Sequence, residues 1–300
     1  MMLTVTLPVY NAMPYLRAAV ESVLNQSYSD FIFLIIDDGS TDGSADYLRS
    51  LHDPRIKLVV RDNHGLGATL NELFSKSRGG YVARMDADDI CEPRRLERQM
   101  AYLRDNDDVV MVGTGIAFIV GSRVVPGFRP LGDHLGIRRR LLQKRPGVNH
   151  PTIVVKREAW AAVGGYRLSR AGEDLDFCLR LCDFGRVSNI CEPLYRYRLR
   201  RESLTFATDA ERNVGYAFAV ACAKARERGM SEPDLHSFQA MWSRRSMRVR
   251  AGELLNAAGG RLYRYSIIHR AEGRAFASKA YLLGAAMCLP HAAWSRLTTR

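Results

Sequence analysis

The chain has 300 residues, 47% of them apolar, with a formal net charge of +12 from 44 basic and 32 acidic residues. That apolar fraction supports a sizeable globular core, and no run approaches the roughly 18 apolar residues of a membrane-spanning helix. The charge is uneven: residues 1–200 hold 28 Lys/Arg and 24 Asp/Glu, whereas residues 201–300 hold 16 and 8, so the C-terminal third suits either solvated helix faces or an anionic surface.

The first half alternates short apolar runs with helical patterns. Leu3 to Leu7 reads as a strand that follows the N-terminus directly, with no signal-peptide pattern. A helix over about 14–25 places Leu16, Val20, Val23 and Leu24 on one face. Phe31 to Ile36 is a continuous apolar run, as in a strand buried on both sides. The loop Gly39 to Ser44 precedes a helix ending near Leu51, with Asp42 or Ser44 as its cap. Further strands are predicted over 56–60, 81–85 and 109–114, with helices over 66–76 and 93–104. Beyond residue 116 the expected elements are a hairpin turning at Gly121-Ser122, a basic helix over 137–144 and a strand over 152–156. A short helix stopped by Gly164-Gly165, a helix over 173–184 and an extended run over 186–197 follow. After Leu204 the pattern is helical, interrupted at Gly259-Gly260.

Strand–helix alternation with short connections predicts an α/β fold with a mostly parallel central sheet flanked by helices. Ligands gather beyond the carboxyl ends of such strands. Three polar clusters fall there: Pro8-Val9-Tyr10-Asn11, Asp37-Asp38-Gly39-Ser40 and Asp86-Ala87-Asp88-Asp89. The last packs three carboxylates into four positions; they repel one another, and a hard divalent cation shared with substrate phosphates is the usual remedy. The six cysteines form no paired or zinc-like framework, so buried thiols in a reducing cytosol are expected.

These clusters, together with Ser22 to Tyr28, Asn63-His64-Gly65-Leu66-Gly67 and Gly172-Glu173-Asp174-Leu175-Asp176, occur in one order over residues 3–200. In that order they resemble the family 2 inverting glycosyltransferases of GT-A fold. The resemblance implies transfer of one sugar from a nucleotide-diphosphate sugar, a UDP-sugar first among donors, to a saccharide or lipid-linked acceptor, with Mn²⁺ or Mg²⁺, in surface polysaccharide or glycolipid synthesis. It places Pro8 and Tyr10 beside the base, although Tyr10 is equally consistent with packing. It assigns base and ribose contacts mainly to Asp38, with Asp37 also able to cap the following turn. Asp86 is implied near the ribose or metal, and Asp88 as the metal ligand. Were the segment extended, a period of two would put both on one side; Asp89 would cap the helix near Pro93. Asp174 is implied as the base that deprotonates the acceptor, with Glu173 orienting it or touching the acceptor, and His150 lies near the acceptor. Taken locally, Glu173 and Asp174 are also ordinary N-terminal helix charges. An arginine of the Tyr195 to Ser203 segment is a candidate for the diphosphate, without a choice among them.

The expected organisation is a transferase domain over 1–204 and a basic helical extension over 205–300. The extension would dock on an anionic inner membrane face, giving a cytoplasmic or peripheral protein. The Gln-x-x-Arg-Trp element and the membrane spans of processive synthases are missing, which favours single-sugar transfer. Two other readings predict different signatures. A nucleotidyltransferase would show a Gly-rich, Lys/Arg-containing loop where Val9 to Ala12 stand. A basic nucleic-acid- or membrane-binding protein without catalysis would need recognition elements in the ordered domain, where the charge excess is small, so no nucleic-acid partner is expected.

Overall fold

The structure, a computed structural model, describes residues 2–167, 172–199 and 209–288. The strands are β1 Leu3–Val9, β2 Phe31–Asp38, β3 Ile56–Arg61, β4 Tyr81–Arg84, β5 Ile90–Cys91, β6 Val109–Val120, β7 Arg123–Pro126, β8 Val154–Lys156 and β9 Arg186–Arg198. The helices are α1 Leu16–Leu24, α2 Ser44–Arg49, α3 Leu66–Lys76, α4 Arg95–Asp105, α5 His134–Leu142, α6 Arg157–Ala162, α7 Glu173–Phe184, α8 Asp209–Glu227, α9 Leu235–Ser243, α10 Met247–Ala271 and α11 Ala275–Cys288. One mixed sheet runs in the order β3-β2-β1-β4-β8-β6-β9-β5, with β7 paired to β6.

β3, β2, β1 and β4 are mutually parallel, so the loops that follow Val9, Asp38, Arg61 and Arg84 leave the same edge. β2 lies between β1 and β3, with helices over both faces, which is why its run is apolar almost throughout. Alternation along the strands feeds two cores. Tyr81, Ala83 and Val154 join the core with α1 and α4, whereas Val82 and Val155 join the core with α3, α7 and α8. On the first side Leu7, Phe33 and Ile35 pack with Leu16, Val20, Val23, Leu96 and Met100. On the second, Phe74, Phe177, Leu181, Val220 and Ala223 are buried together. Cys178 and Cys182 are buried on α7, as expected of helix-face thiols.

Several boundaries differ from the sequence expectations. α1 begins at Leu16 and α4 at Arg95, after the turns that carry Pro14 and Pro93. α5 starts at His134 because the Asp133 carboxylate accepts the Gly136 amide at 2.6 Å and caps it. α10 runs unbroken through Gly259-Gly260. Its packing overrides the local cost of glycine: Ser278 donates to the Ser266 carbonyl at 2.9 Å, Tyr265 and Tyr281 lie 5.6 Å apart, and Ile268 and Ala271 are buried with Val120. The hairpin turns at Gly121 (φ +58°), with Val120 opposite Arg123.

Candidate active site

The site is assembled from the loops beyond β1, β2, β3 and β4. The first two are laced together. The Asn11 side-chain oxygen accepts the Thr41 amide at 2.8 Å, Ser40 Oγ accepts the Asn11 amide at 2.9 Å, and Asp42 accepts the Met13 amide at 2.8 Å. Asn11 adopts φ +47°, a conformation asparagine tolerates. Pro8 is buried in β1, whereas Tyr10 is 56% exposed, so Tyr10 is not a core residue.

Both Asp37 and Asp38 are buried. Asp37 Oδ1 accepts the Ser40 amide at 3.0 Å, and Oδ2 has no partner among the described residues. Asp38 is fully engaged: it pairs with the Arg61 guanidinium and accepts the His64 and Gly65 amides at 2.9 Å each. It therefore holds the loop after β3. Gly39 (φ +80°) permits this approach, since a Cβ there would sit 2.8 Å from the Asn63 nitrogen. Arg61 also meets Glu72 and Thr69 Oγ1, both at 2.9 Å. Arg61 was not singled out from sequence.

The acidic cluster does not continue β4. The chain leaves the strand after Arg84 and turns at Ala87-Asp88, so Asp86 and Asp88 are not related by strand periodicity. Asp86 pairs with Arg84 at 2.7 Å, and its amide donates to the Tyr195 hydroxyl at 3.2 Å. Asp89 does not cap α4, whose N-terminus has no side-chain cap; instead its Oδ1 accepts the Arg198 amide at 2.7 Å. Short antiparallel pairing of β5 with β9 carries Tyr195 to Arg198 here. Within that segment, Arg196 is held by Glu92 at 2.5 and 3.1 Å. Arg198 stands beside the cluster, donating to the Asp88 carbonyl at 2.7 Å and lying 4.3 Å over the Tyr15 ring. The geometry thus separates Arg196 from Arg198; Arg200 and Arg201 of the same segment lie outside the described residues.

Burial raises the Asp89 carboxyl well above the usual range, reinforced by Asp88 and Asp86 and opposed by the Arg198 amide and the Tyr195 hydroxyl. Asp86 is raised by burial and by Asp88, with Arg84 and Arg95 opposing. Beneath the cluster lies Arg95, fully buried and unforeseen from sequence. It donates to the Arg84 carbonyl at 2.6 Å, to Gln99 at 3.0 Å and to Cys91 Sγ at 3.0 Å. Among the described residues no three His, Cys, Asp or Glu side chains converge as a complete metal cage.

Arg84 joins this cluster to α7. Burial opposes its charge, but Asp86, Tyr166, Tyr195 and Glu173 offset that cost and hold it protonated. A charged residue inside the otherwise apolar run of β4 was its only signal in the sequence. His150 Nε2 and the Tyr166 hydroxyl are 2.9 Å apart, and burial together with Arg84 pushes the imidazole well below its ordinary pKa. It is thus a neutral partner of Tyr166. Glu173 and Asp174 open α7 after Gly172 (φ +92°). Burial, then Asp174, raises the Glu173 carboxyl. Asp174 Oδ1 accepts the Leu175 amide at 2.7 Å, and Oδ2 accepts the Tyr216 hydroxyl of α8 at 3.2 Å.

The Glycosyl transferase family 2 model matches residues 4–163, more than half of the chain and the whole of the first three loops. The chain belongs to glycosyltransferase family 2. It is 34% identical over 224 residues to EpsE of Bacillus subtilis (strain 168), named as a glycosyltransferase, covering 69% of this chain and 78% of that one. It is 32% identical over 210 residues to the O-antigen biosynthesis glycosyltransferase WbnJ of Escherichia coli, covering 67% and 81%. S. aureus TarS 1–349 shares the fold at a TM-score of 0.62 and 15% identity, over 96% of this chain and 91% of that one. This glycosyltransferase is therefore a transferase of GT-A fold whose sheet edge carries the family's ordered loops.

Proposed function

We propose that the protein is a metal-dependent, inverting glycosyltransferase that moves one sugar from a nucleotide-diphosphate sugar to an acceptor hydroxyl in surface polysaccharide or glycolipid synthesis. The observation that carries this reading is Arg84. One buried guanidinium pairs with Asp86 of the acidic cluster at 2.7 Å and also favours the charged form of Glu173 in the α7 acid pair, which links the two acid groups of the site. Solved fold neighbours include TarS with UDP-GlcNAc, at a TM-score of 0.60, and the mannosyltransferase PcManGT of Pyrobaculum calidifontis with GDP-Man and Mn²⁺, at 0.56. They support a nucleotide-sugar donor.

In this proposal the nucleoside rests against the 8–11, 37–40 and 61–65 loops. Asp37 and Asp38 form its floor, and the exposed ring of Tyr10 offers a stacking face. The diphosphate meets Asp88 and Arg198. The residues fit a hard cation: three acids crowd together, and Asp89 Oδ2 is buried without a partner among the described residues. Asp88, with Asp86 beside it, would hold Mn²⁺ or Mg²⁺, and the remaining ligands would be donor oxygens. When bound, the cation would stabilise charge on the leaving diphosphate. Asp174 takes the acceptor's proton as its oxygen attacks the anomeric carbon from the face opposite the nucleoside diphosphate; that C–O bond forms, the sugar–phosphate bond breaks, and the configuration inverts. Glu173 and the His150–Tyr166 pair shape the acceptor side.

We place the transferase domain at 1–204 and the helical extension at 205–300, with α8 closing against α7. No described helix is long and apolar enough to cross a membrane. However, α11 displays Phe276, Leu283 and Met287 at 89, 66 and 78% exposure along one face, with Arg274 and Lys279 exposed nearby. We propose that this face rests on anionic lipid at the inner side of the cell membrane. Flotation with phosphatidylglycerol vesicles should be strong at low salt and lost in Phe276→Glu; salt-independent exclusion of the wild type from vesicles would refute it.

The reading is tested by screening UDP-, GDP- and dTDP-sugars for Mn²⁺-dependent hydrolysis and thermal stabilisation. One donor should do both, and the metal-dependent part should vanish in Asp88→Ala. No response to any sugar nucleotide would overturn the proposal.

A further inference from the structure

Helices α7 and α8 both lie beyond the residues that the family model matches, and α8 touches the α7 N-terminus beside the acid pair. Gly172 has φ +92°, and a Cβ there would fall 2.6 Å from the Gly215 carbonyl carbon and 3.0 Å from the Tyr216 nitrogen. Two glycines therefore let the α8 backbone rest on the turn that starts α7. This contact is anchored from both sides. Ala219, Val220 and Ala223 are buried in the core shared with α7. At the far end Arg226 pairs with Asp183 at 2.8 Å, and Arg167 pairs with Glu232 at 2.5 Å. The next residue along α8, Tyr216, donates its hydroxyl to Asp174 Oδ2 at 3.2 Å, while Asp174 Oδ1 is held by the Leu175 amide.

A carboxylate whose two oxygens each accept a hydrogen bond is fixed in rotation, and its ionised form is favoured. Both effects matter to a base that must meet one hydroxyl at one angle. We propose that Tyr216 is a positioning residue for sugar transfer: from α8, its hydroxyl aims the Asp174 carboxyl. The inference rests on Asp174 being the base.

Among the described residues, the groups facing Asp174 are Glu173 and Cys178 on α7, Tyr166 after α6, and Tyr216 on α8, with Arg84 at the end of β4 reaching Glu173. Of these, only Tyr216 is a donor to Asp174 that Phe removes without changing the shape of the site. The experiment uses the full chain and the UDP-, GDP- or dTDP-sugar identified by screening. Tyr216→Phe should bind that nucleotide within about two-fold of wild type and lose roughly ten-fold in kcat, the scale of one hydrogen bond to a charged group. The acid limb of its kcat/KM profile should move up by about half a pH unit or more, because the ionised carboxylate has lost a donor. Equal rate and an unmoved acid limb would overturn the inference. Asp174→Asn separates the two claims. If it is inactive while Tyr216→Phe behaves as wild type, only the positioning role falls; if Asp174→Asn transfers normally, the base assignment falls. Tyr216→Trp, which retains a ring and an N–H donor, should recover part of the rate if Tyr216→Phe proves unstable; recovery of fold without any recovery of rate relative to Tyr216→Leu would also count against the proposal.

Discussion

Replacing Asp38 with alanine should loosen the nucleoside side of the site. The carboxylate serves three donors: the Arg61 guanidinium and the His64 and Gly65 amides, both amides at 2.9 Å. Removing one partner of a buried ion pair commonly costs 3–5 kcal/mol, most of it from the charge left unpaired. Here Arg61 keeps Glu72, Thr69 and the Asp62 carbonyl, so it is not orphaned. The two amides belong to a partly exposed loop and can be rehydrated. The expected loss is therefore below that range, about 2–3 kcal/mol, or roughly 3–5 °C in melting temperature for a chain of this size. Differential scanning fluorimetry gives the global value, and hydrogen exchange at His64 and Gly65 gives the local one. Both amides should lose protection and nucleotide affinity should fall. A melt within about 1 °C of wild type, with both amides still protected, would refute the loop-holding role.

Other outcomes follow from the same contacts. Gly172→Ala should cost on the order of 1–3 kcal/mol, from positive φ and collision with Gly215, and should impair transfer more than nucleotide binding; unchanged melting and rate would contradict the packing of α8 on α7. Asp88→Ala should retain its fold and lose the Mn²⁺-dependent increment in nucleotide affinity measured by calorimetry, and an intact increment would remove Asp88 as the ligand. Hydrogen bonds from Arg167, and also from Arg226, hold Glu232 down at about 2 despite partial burial. Its folded pKa lies below the unfolded one near 4.5, so its stabilisation is complete above about 4.5 and declines as pH falls from there towards 2. In Glu232→Gln that part of the acid-side decline in melting temperature should disappear; the same pH slope in both proteins would contradict the pairing.

The parallel half of the fold was legible because each strand and helix states its own period, and the carboxyl-end loops follow from parallel connection alone. Asp37-Asp38, Asp86 to Asp89 and Glu173-Asp174 stood out as local clusters. What escaped was everything defined by a partner distant in sequence. β5 is two residues long and exists because β9 pairs with it. Arg84 is a single cation in an apolar strand, and Arg95 is one of several arginines in a charged segment; each is informative only once burial is known. The partners of Asp38 and Asp89 escaped for the same reason: their donors lie at Arg61 and Gly65, and at Arg198, reached only through tertiary structure. Tyr216 lies in a helix whose sequence signals nothing beyond an amphipathic pattern.

The central claim is that Asp174 deprotonates the acceptor. The direct test is the single-turnover rate of sugar transfer by Asp174→Asn at saturating donor and acceptor, with donor affinity titrated on the same preparation. Donor affinity within about two-fold of wild type and transfer reduced by 10²–10⁴, the scale of general-base catalysis, is the predicted result. Transfer within roughly ten-fold of wild type at unchanged donor affinity would contradict the account.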